Sequence, residues 1–386
     1  NNSINAVSYQ WDFCSGELHE TPVVTEINSL SGDLRDIEIV SENNLWYGFV
    51  VNKSGKNIIR LDFGNSLEND PTINNLGNIG GLLNKPAPIK LLKENGDWYG
   101  LVHNGGSNQL ILISFGNSIN SNPSTAAFVV NDVGSEFSNL NYGYDKGNLI
   151  VALSNYFGST FTLINFGNSI TNSPTVDDII NTTTVSGAGL SDITLINNCG
   201  NWYGLGTGFN NKSLYFLNFG TSLFTIPTIT NIGDGIFSES PLRIEFTEEL
   251  NEYIGFVTGI GGTLYRVNLG TDLSNVSLNI DDLGTNGISG QPQSLQLTKM
   301  KGQWYGFQAT NTGKVYRMDF PLDCGENIKS SILLNPPNLT YSSPGTFNIR
   351  LEATDENGIS TSQTKQITVA NSVAPDISIS IDNNQC

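Results

Sequence analysis

Short runs of alternating apolar and polar residues, each closed off by Gly, Asn, Asp or Pro, fill most of this chain. The stretch from Arg35 to Gly77 shows the unit. Residues 35 to 41 alternate, 45 to 52 form an apolar run around Trp46-Tyr47-Gly48, 57 to 64 alternate again, and 72 to 77 follow a proline. A period of two, rich in β-branched and aromatic side chains and bounded by turn formers, predicts β-strands. Helical spacing persists nowhere for more than a turn, so the expected fold class is all-β.

The same unit recurs. Trp46-Tyr47-Gly48 returns as Trp98-Tyr99-Gly100, Trp202-Tyr203-Gly204 and Trp304-Tyr305-Gly306, with a worn copy at Tyr253-Ile254-Gly255 and a replaced one at 147–151. A second motif follows each at a fixed distance: Phe63-Gly64-Asn65-Ser66, Phe115-Gly116-Asn117-Ser118, Phe166-Gly167-Asn168-Ser169, Phe219-Gly220-Thr221-Ser222, Leu269-Gly270-Thr271-Asp272 and, degraded, Phe320-Pro321-Leu322-Asp323. Both series step by roughly 50 residues, the period of a four-stranded propeller blade. Six units predict a six-bladed β-propeller.

A propeller must join its last blade to its first or expose two sheet edges. The fourth-strand pattern, Pro followed by a Thr/Val/Ile run, is missing after Phe320 and present before the first unit, at Pro22 to Ile27. The segment near 22–28 is therefore expected to supply the outer strand of blade six. Closing the ring in this way brings Cys14 near Cys324, which favours a disulfide over two buried thiols. Cys199 and Cys386 are left open. No Cys/His spacing suggests zinc.

Outside the repeats lie Tyr9-Gln10-Trp11-Asp12-Phe13 before the propeller and, after it, Tyr341-Ser342-Ser343-Pro344-Gly345-Thr346-Phe347-Asn348-Ile349-Arg350-Leu351, the Asn357-Gly358 hairpin and residues 365–369. These motifs resemble the PKD domain, an immunoglobulin-like β-sandwich with a Tyr-x-Trp-Asp-Phe turn and a Tyr-Ser-x-Pro-Gly-Thr-Tyr strand. The sequence departs from that pattern at Cys14-Ser15-Gly16, where Gly-Asp-Gly is usual and where the propeller enters. The resemblance implies a propeller inserted into a PKD-like domain. The expected spans are 1–20 and 325–371 for its two parts, 21–324 for the propeller, and 372–386 for the start of a following β-sandwich, as if cut from a longer array. Trp-Tyr-Gly repeats joined to PKD-like modules also resemble large Bacteroidota surface proteins exported by type IX secretion, including gliding-motility adhesins. That resemblance implies an extracellular location on a bacterial surface, with neighbouring PKD-like domains of the same chain as partners.

Composition adds exclusions. A formal net charge of -18 with only 14% charged residues argues against nucleic acid and anionic membranes as partners. No apolar run is long enough for direct membrane insertion. With two histidines, His19 and His103, neither in a nucleophile-elbow context, a hydrolytic triad is not expected. The six-bladed sialidases are also excluded, because their Ser-x-Asp-x-Gly-x-Thr-Trp box is absent and Arg is scarce. The pairs Glu248-Glu249 and Asp281-Asp282 read as solvated acidic edges.

Residues that repeat in every blade pack blades, so ligand-binding residues are sought where blades differ. The loops between second and third strands carry such exceptions: His103 and Asn104, then Asn155, Tyr156 and Phe157, then Phe209 and Asn210. Aromatic rings beside amides suit a saccharide, whose apolar face stacks while its hydroxyls bond. The alternative is that Tyr156 and Phe157 fill the space of blade three's missing Trp. Asp355 and Asn357, in the turn of the PKD-like part, offer oxygen ligands for calcium, the one cofactor worth considering; otherwise none is expected. Two functions stand: an adhesin segment, not an enzyme, binding a glycan or a surface protein, or a non-binding architectural node of a filament.

Overall fold

The computed structural model describes residues 6–123, 125–130, 137–355 and 360–370. Among them are seven four-stranded antiparallel sheets, six arranged as propeller blades and the seventh belonging to the PKD-like sandwich. Blade I consists of Leu34–Glu42, Leu45–Asn52, Asn57–Gly64 and Thr72–Gly77, paired in that order. Blades II to V repeat the meander, their first strands being Pro86–Glu94, Phe137–Asp145, Leu190–Asn198 and Pro241–Glu249. Blade VI takes Gln296–Met300, Gln303–Ala309 and Lys314–Asp319 from one end of the propeller segment. Its outer strand is Val23–Ser29 from the other, paired with Lys314–Asp319.

Each blade packs on the next through a closed apolar seam. Tyr47, Phe49, Val51 and Ile58 of blade I meet Ile89, Leu91, Trp98, Val102 and Phe115 of blade II, with the Phe49 and Phe115 rings edge to face at 5.2 Å. The ring is sealed where Ile37, Ile39, Leu61 and Phe63 of blade I meet Met300, Tyr305 and Phe307 of blade VI.

The two repeated motifs are two halves of one fit. The Gly of each Trp-Tyr-Gly leaves room for the Phe of the neighbouring Phe-Gly-Asn-Ser strand: a Cβ at Gly48, Gly100 or Gly204 would lie 3.3, 3.3 or 3.4 Å from Cε2 of Phe63, Phe115 or Phe219. The second motif's own glycines, Gly64, Gly116, Gly167 and Gly220, sit at φ of 70°, 71°, 66° and 67°, where a side chain is strained.

The motif serine has a task that the repeat pattern alone did not disclose. At the end of each first strand stands an acid that clasps the next blade. Glu42 accepts from Ser118 Oγ at 2.7 Å, from the Ile119 amide at 3.1 Å and from Trp98 Nε1 at 2.7 Å. Glu94 likewise takes Ser169 and the Ile170 amide, and Asp145 takes Ser222 and the Leu223 amide. Glu42 loses stabilisation by burial, yet these bonds, with Lys93, hold its carboxyl down to about 2.

Blade V repeats the clasp with a substitute. Blade VI has no Ser at the motif position, and Glu249 instead accepts from Ser15 Oγ at 2.8 Å and the Gly16 amide at 3.1 Å, in the strand-to-propeller connection, and from Trp304 Nε1. Glu249 is thus buried, which corrects its reading as a solvated edge: the acid is desolvated because four donors and a cation replace its water. The cation is Lys299, whose ammonium pairs with Asp12 and lies 3.9 Å from both Glu17 and Glu249. Desolvation, reinforced by Asp12 and Glu249 and opposed by Lys299, pushes Glu17 up to about 8, so it carries a proton at neutral pH.

The PKD-like sheet runs Ser330–Ser331, Ala6–Asp12, Gly345–Asp355, Ser360–Val369. Its core gathers Trp11, Phe13, Leu339, Ile349 and Leu351, with the Tyr341 and Phe347 rings stacked at 4.0 Å. A disulfide joins Cys14 to Cys324 where the chain leaves and re-enters this domain. Among the described residues no cysteine is free.

Candidate functional site

The first strands line the central channel, and the clasps fix its base, where the PKD-like domain joins. Blade V's first strand shows the polarity of the molecule. Glu249 at its end touches Ser15 and Gly16, whereas Leu242 and Arg243 at its start line a cavity of about 300 Å³ at the opposite opening. Nine residues of strand separate the two, on the order of 25 Å. The cavity is built from second-to-third-strand loops and from the connections entering each first strand.

Three of the anticipated rings come together there. Tyr156 packs edge to face on Phe157 at 4.8 Å and on Phe209 at 5.0 Å. All three line the cavity, and Phe157 remains 72% exposed. Their placement removes the gap-filling alternative. Leu149, fully buried, occupies blade III's Trp position at the start of Asn148–Asn155, while Tyr156 follows the far end of that strand.

The polar residues divide. Asn210 is exposed and accepts from the Tyr156 hydroxyl at 3.4 Å. Asn155 accepts from the Gly158 amide at 2.8 Å, which shapes the loop carrying the rings. Asn104 is fully buried, and its side chain is committed to the Asn84 amide, the Leu82 carbonyl and Ser107. It therefore shapes its loop and does not line the cavity. His103 stands in the cavity wall but is buried, and burial pushes its imidazole down to about 4, keeping it neutral. Asn357 and the side chain of Asp355 lie outside the described residues, so the calcium expectation is not examined by this structure. Among the described residues Asp12, Glu17 and Glu249 bring carboxylates close enough to hold a metal, but the Lys299 ammonium already stands among them.

The sequence reading missed the basic side of the cavity. Arg35, Lys53, Lys85 and Arg243 line it, and no Asp or Glu does. Gln293 ties the two arginines together: its side-chain oxygen accepts from Arg35 Nη1 at 2.9 Å and its carbonyl from Arg243 Nε at 2.6 Å. Deeper in the channel Lys90 pairs with Glu38 at 2.8 Å. Glu245 nearby is pushed up to about 8 by burial, with Glu38, Asp192 and Asp36 adding to the rise and Lys90 opposing it.

The PKD domain family matches residues 293–368. The match extends back over the three strands of blade VI, whereas the structure completes the sandwich sheet with Ala6–Asp12. No curated protein matches the chain by sequence. Among solved structures it is similar to a GH43 β-1,3-galactosidase with galactodeoxynojirimycin, at 10% identity over 70% of this chain and 92% of that one, with a TM-score of 0.43. It is also similar to an α-L-arabinofuranosidase of Clostridium thermocellum, at 10% identity over 65% and 94% with a TM-score of 0.44. Hydrazine synthase of Kuenenia stuttgartiensis aligns at 13% identity over 72% and 75%, with a TM-score of 0.47. Likenesses this remote carry nothing about substrate or chemistry. The PKD match and the disulfide fit an extracellular, oxidising setting. No helix among the described residues is long and apolar enough to cross a membrane.

Proposed function

We propose that this chain is the ligand-displaying part of a cell-surface adhesin, whose propeller mouth holds a glycan or surface-protein ligand and whose PKD-like domain forms the base. The observation that carries the reading is polarity. The repeated side chains and the host domain meet at one end of the propeller, and the side chains that differ between blades converge on a cavity at the other. A node that binds nothing has no use for a ring held 72% exposed at that opening. The lining holds no carboxylate, so the paired acids of glycoside hydrolysis have no counterpart there, which favours binding over catalysis. Display on a bacterial surface through type IX secretion, on a stalk of neighbouring PKD-like domains, belongs to the same proposal and rests on the joining of repeats to a PKD domain.

A glycan array probed with the purified chain tests the reading, with calcium and again with chelator. Saturable binding that disappears in a Tyr156→Ala/Phe157→Ala/Phe209→Ala variant of unchanged melting temperature supports it. Chelator sensitivity would add a metal. Binding unaffected by the triple substitution would place any ligand elsewhere and defeat it.

A further inference from the structure

From the make-up of the mouth we infer that its ligand is an anionic saccharide, a sugar chain bearing carboxylate or sulfate groups, held by the Arg35–Arg243 pair beside the aromatic rings. This inference rests on the mouth being the binding site and goes on to name the ligand class.

The argument starts from an imbalance. The chain has 36 acids and 18 Lys and Arg, so a surface drawn at random is acidic. The cavity lining has four cations and no acid. A concave, partly desolvated wall concentrates that field within a Debye length of about 8 Å, inside which the chain's overall negative charge is screened.

The cations are also placed. Arg243 is only 7% exposed, and three carbonyls hold it: Gln293 on Nε, and Ser191 and Leu242 on Nη1 at 3.2 and 2.8 Å. Its Nη2 makes no hydrogen bond among the described residues. No carboxylate forms an ion pair with this guanidinium among them either; Asp192 and Asp36 act on it only from a distance. Burial consequently lowers its pKa in spite of those acids, the mark of a cation with an incomplete counter-charge. Arg35 is fixed by Gln293 and by Asp33 at 2.7 Å, with its Nε unbonded among the described residues. A guanidinium fixed on one edge and open on the other is the donor that binds carboxylate or sulfate with two hydrogen bonds. The three rings, Phe157 foremost, supply the apolar surface on which a pyranose face stacks. Lys85, exposed at the rim, and Lys53 suit the further charges of a longer acidic chain.

The test measures binding of the intact chain to three probes by titration calorimetry: a galacturonic acid oligomer, the same oligomer with its carboxyls reduced to alcohols, and a sulfated galactan oligomer. The inference expects one or both acidic probes to bind, the preference between them identifying the anion. It expects the reduced probe to bind at least about tenfold more weakly, the loss of a charge-assisted hydrogen bond. Arg35→Gln is expected to weaken acidic binding about tenfold. Lys85→Gln, at an exposed site where folding is not at stake, should weaken it by roughly threefold. If the reduced and acidic probes bind alike, and the aromatic triple variant abolishes both, the charge inference is overturned while the mouth stands as the site. Acidic binding that survives both charge variants and the aromatic variant lies outside the mouth and overturns both. Absence of binding to all three probes, with neutral glycans retained on the array, overturns the inference alone.

Discussion

The two ends of the propeller obey different rules. At the base, one arrangement is repeated: an acid closing the first strand, a serine and a backbone amide from the next blade, and in two blades a tryptophan N–H with a lysine over its ring. At the mouth nothing repeats. Cations from blades I, II and V face rings from blades III and IV. Repetition marks the end that holds the ring and the host domain together, and its absence marks the end that is free to bind.

The largest expected effect falls at the base. Cys14→Ser with Cys324→Ser opens a loop spanning a sequence separation of 310. On the chain-entropy account this should cost about 5 kcal/mol in denaturant titration, unless the Glu249 clasp alone holds the junction. Next comes Glu249→Ala, which leaves Lys299 with one fewer counter-charge and strips the acceptor from Ser15, Gly16 and Trp304. A loss of about 3 to 5 kcal/mol is expected, and an unchanged unfolding midpoint would show that the clasp does not stabilise the chain.

pH sharpens the comparison further. Burial raises Glu17 and Glu245 from 4.5 to about 8 and Asp36 from 3.8 to about 7. The folded chain therefore holds protons that the unfolded chain has released. Stability from these groups is fully present below the ordinary carboxylate values and is lost as pH rises through 7 to 8. His103, lowered from 6.5 to about 4, acts in the opposite sense, but only as pH falls below 6.5. Between pH 6.5 and 8 the unfolding free energy should decline. Glu17→Gln at the base and Glu245→Gln in the channel should each flatten part of the slope, and a flat wild-type profile would contradict the buried protons. The smallest effect is at the mouth, where Phe157→Ala should change stability by no more than about 0.5 kcal/mol.

The blades were legible because their determinants are local. Glycine beside phenylalanine, the turn glycine and the alternation of strands all lie within one repeat. Closure through Val23–Ser29 and the Cys14–Cys324 bridge were legible as a strand missing at one end and present at the other. The clasp left a signal that went unread: Glu42, Glu94, Asp145 and Glu249 each stand four residues before the Trp position of their blade. Read one pair at a time, Glu248-Glu249 resembled a solvated edge, because an acid's partner in the next blade lies some 75 residues away. The rings of the mouth were found because Tyr156, Phe157 and Phe209 interrupt a repeat. Arg35, Lys53, Lys85 and Arg243 were not, because each is an isolated cation in its own loop and only ring closure gathers them.

The central claim is that one end binds and the other holds. It is tested most directly by measuring glycan affinity and melting temperature together on two variants, Tyr156→Ala/Phe157→Ala/Phe209→Ala and Glu249→Ala. The account predicts that the first loses affinity at an unchanged melting temperature, and that the second melts earlier yet binds normally below its transition. A mouth variant that melts as early as the base variant, or that binds as the wild type does, would contradict it.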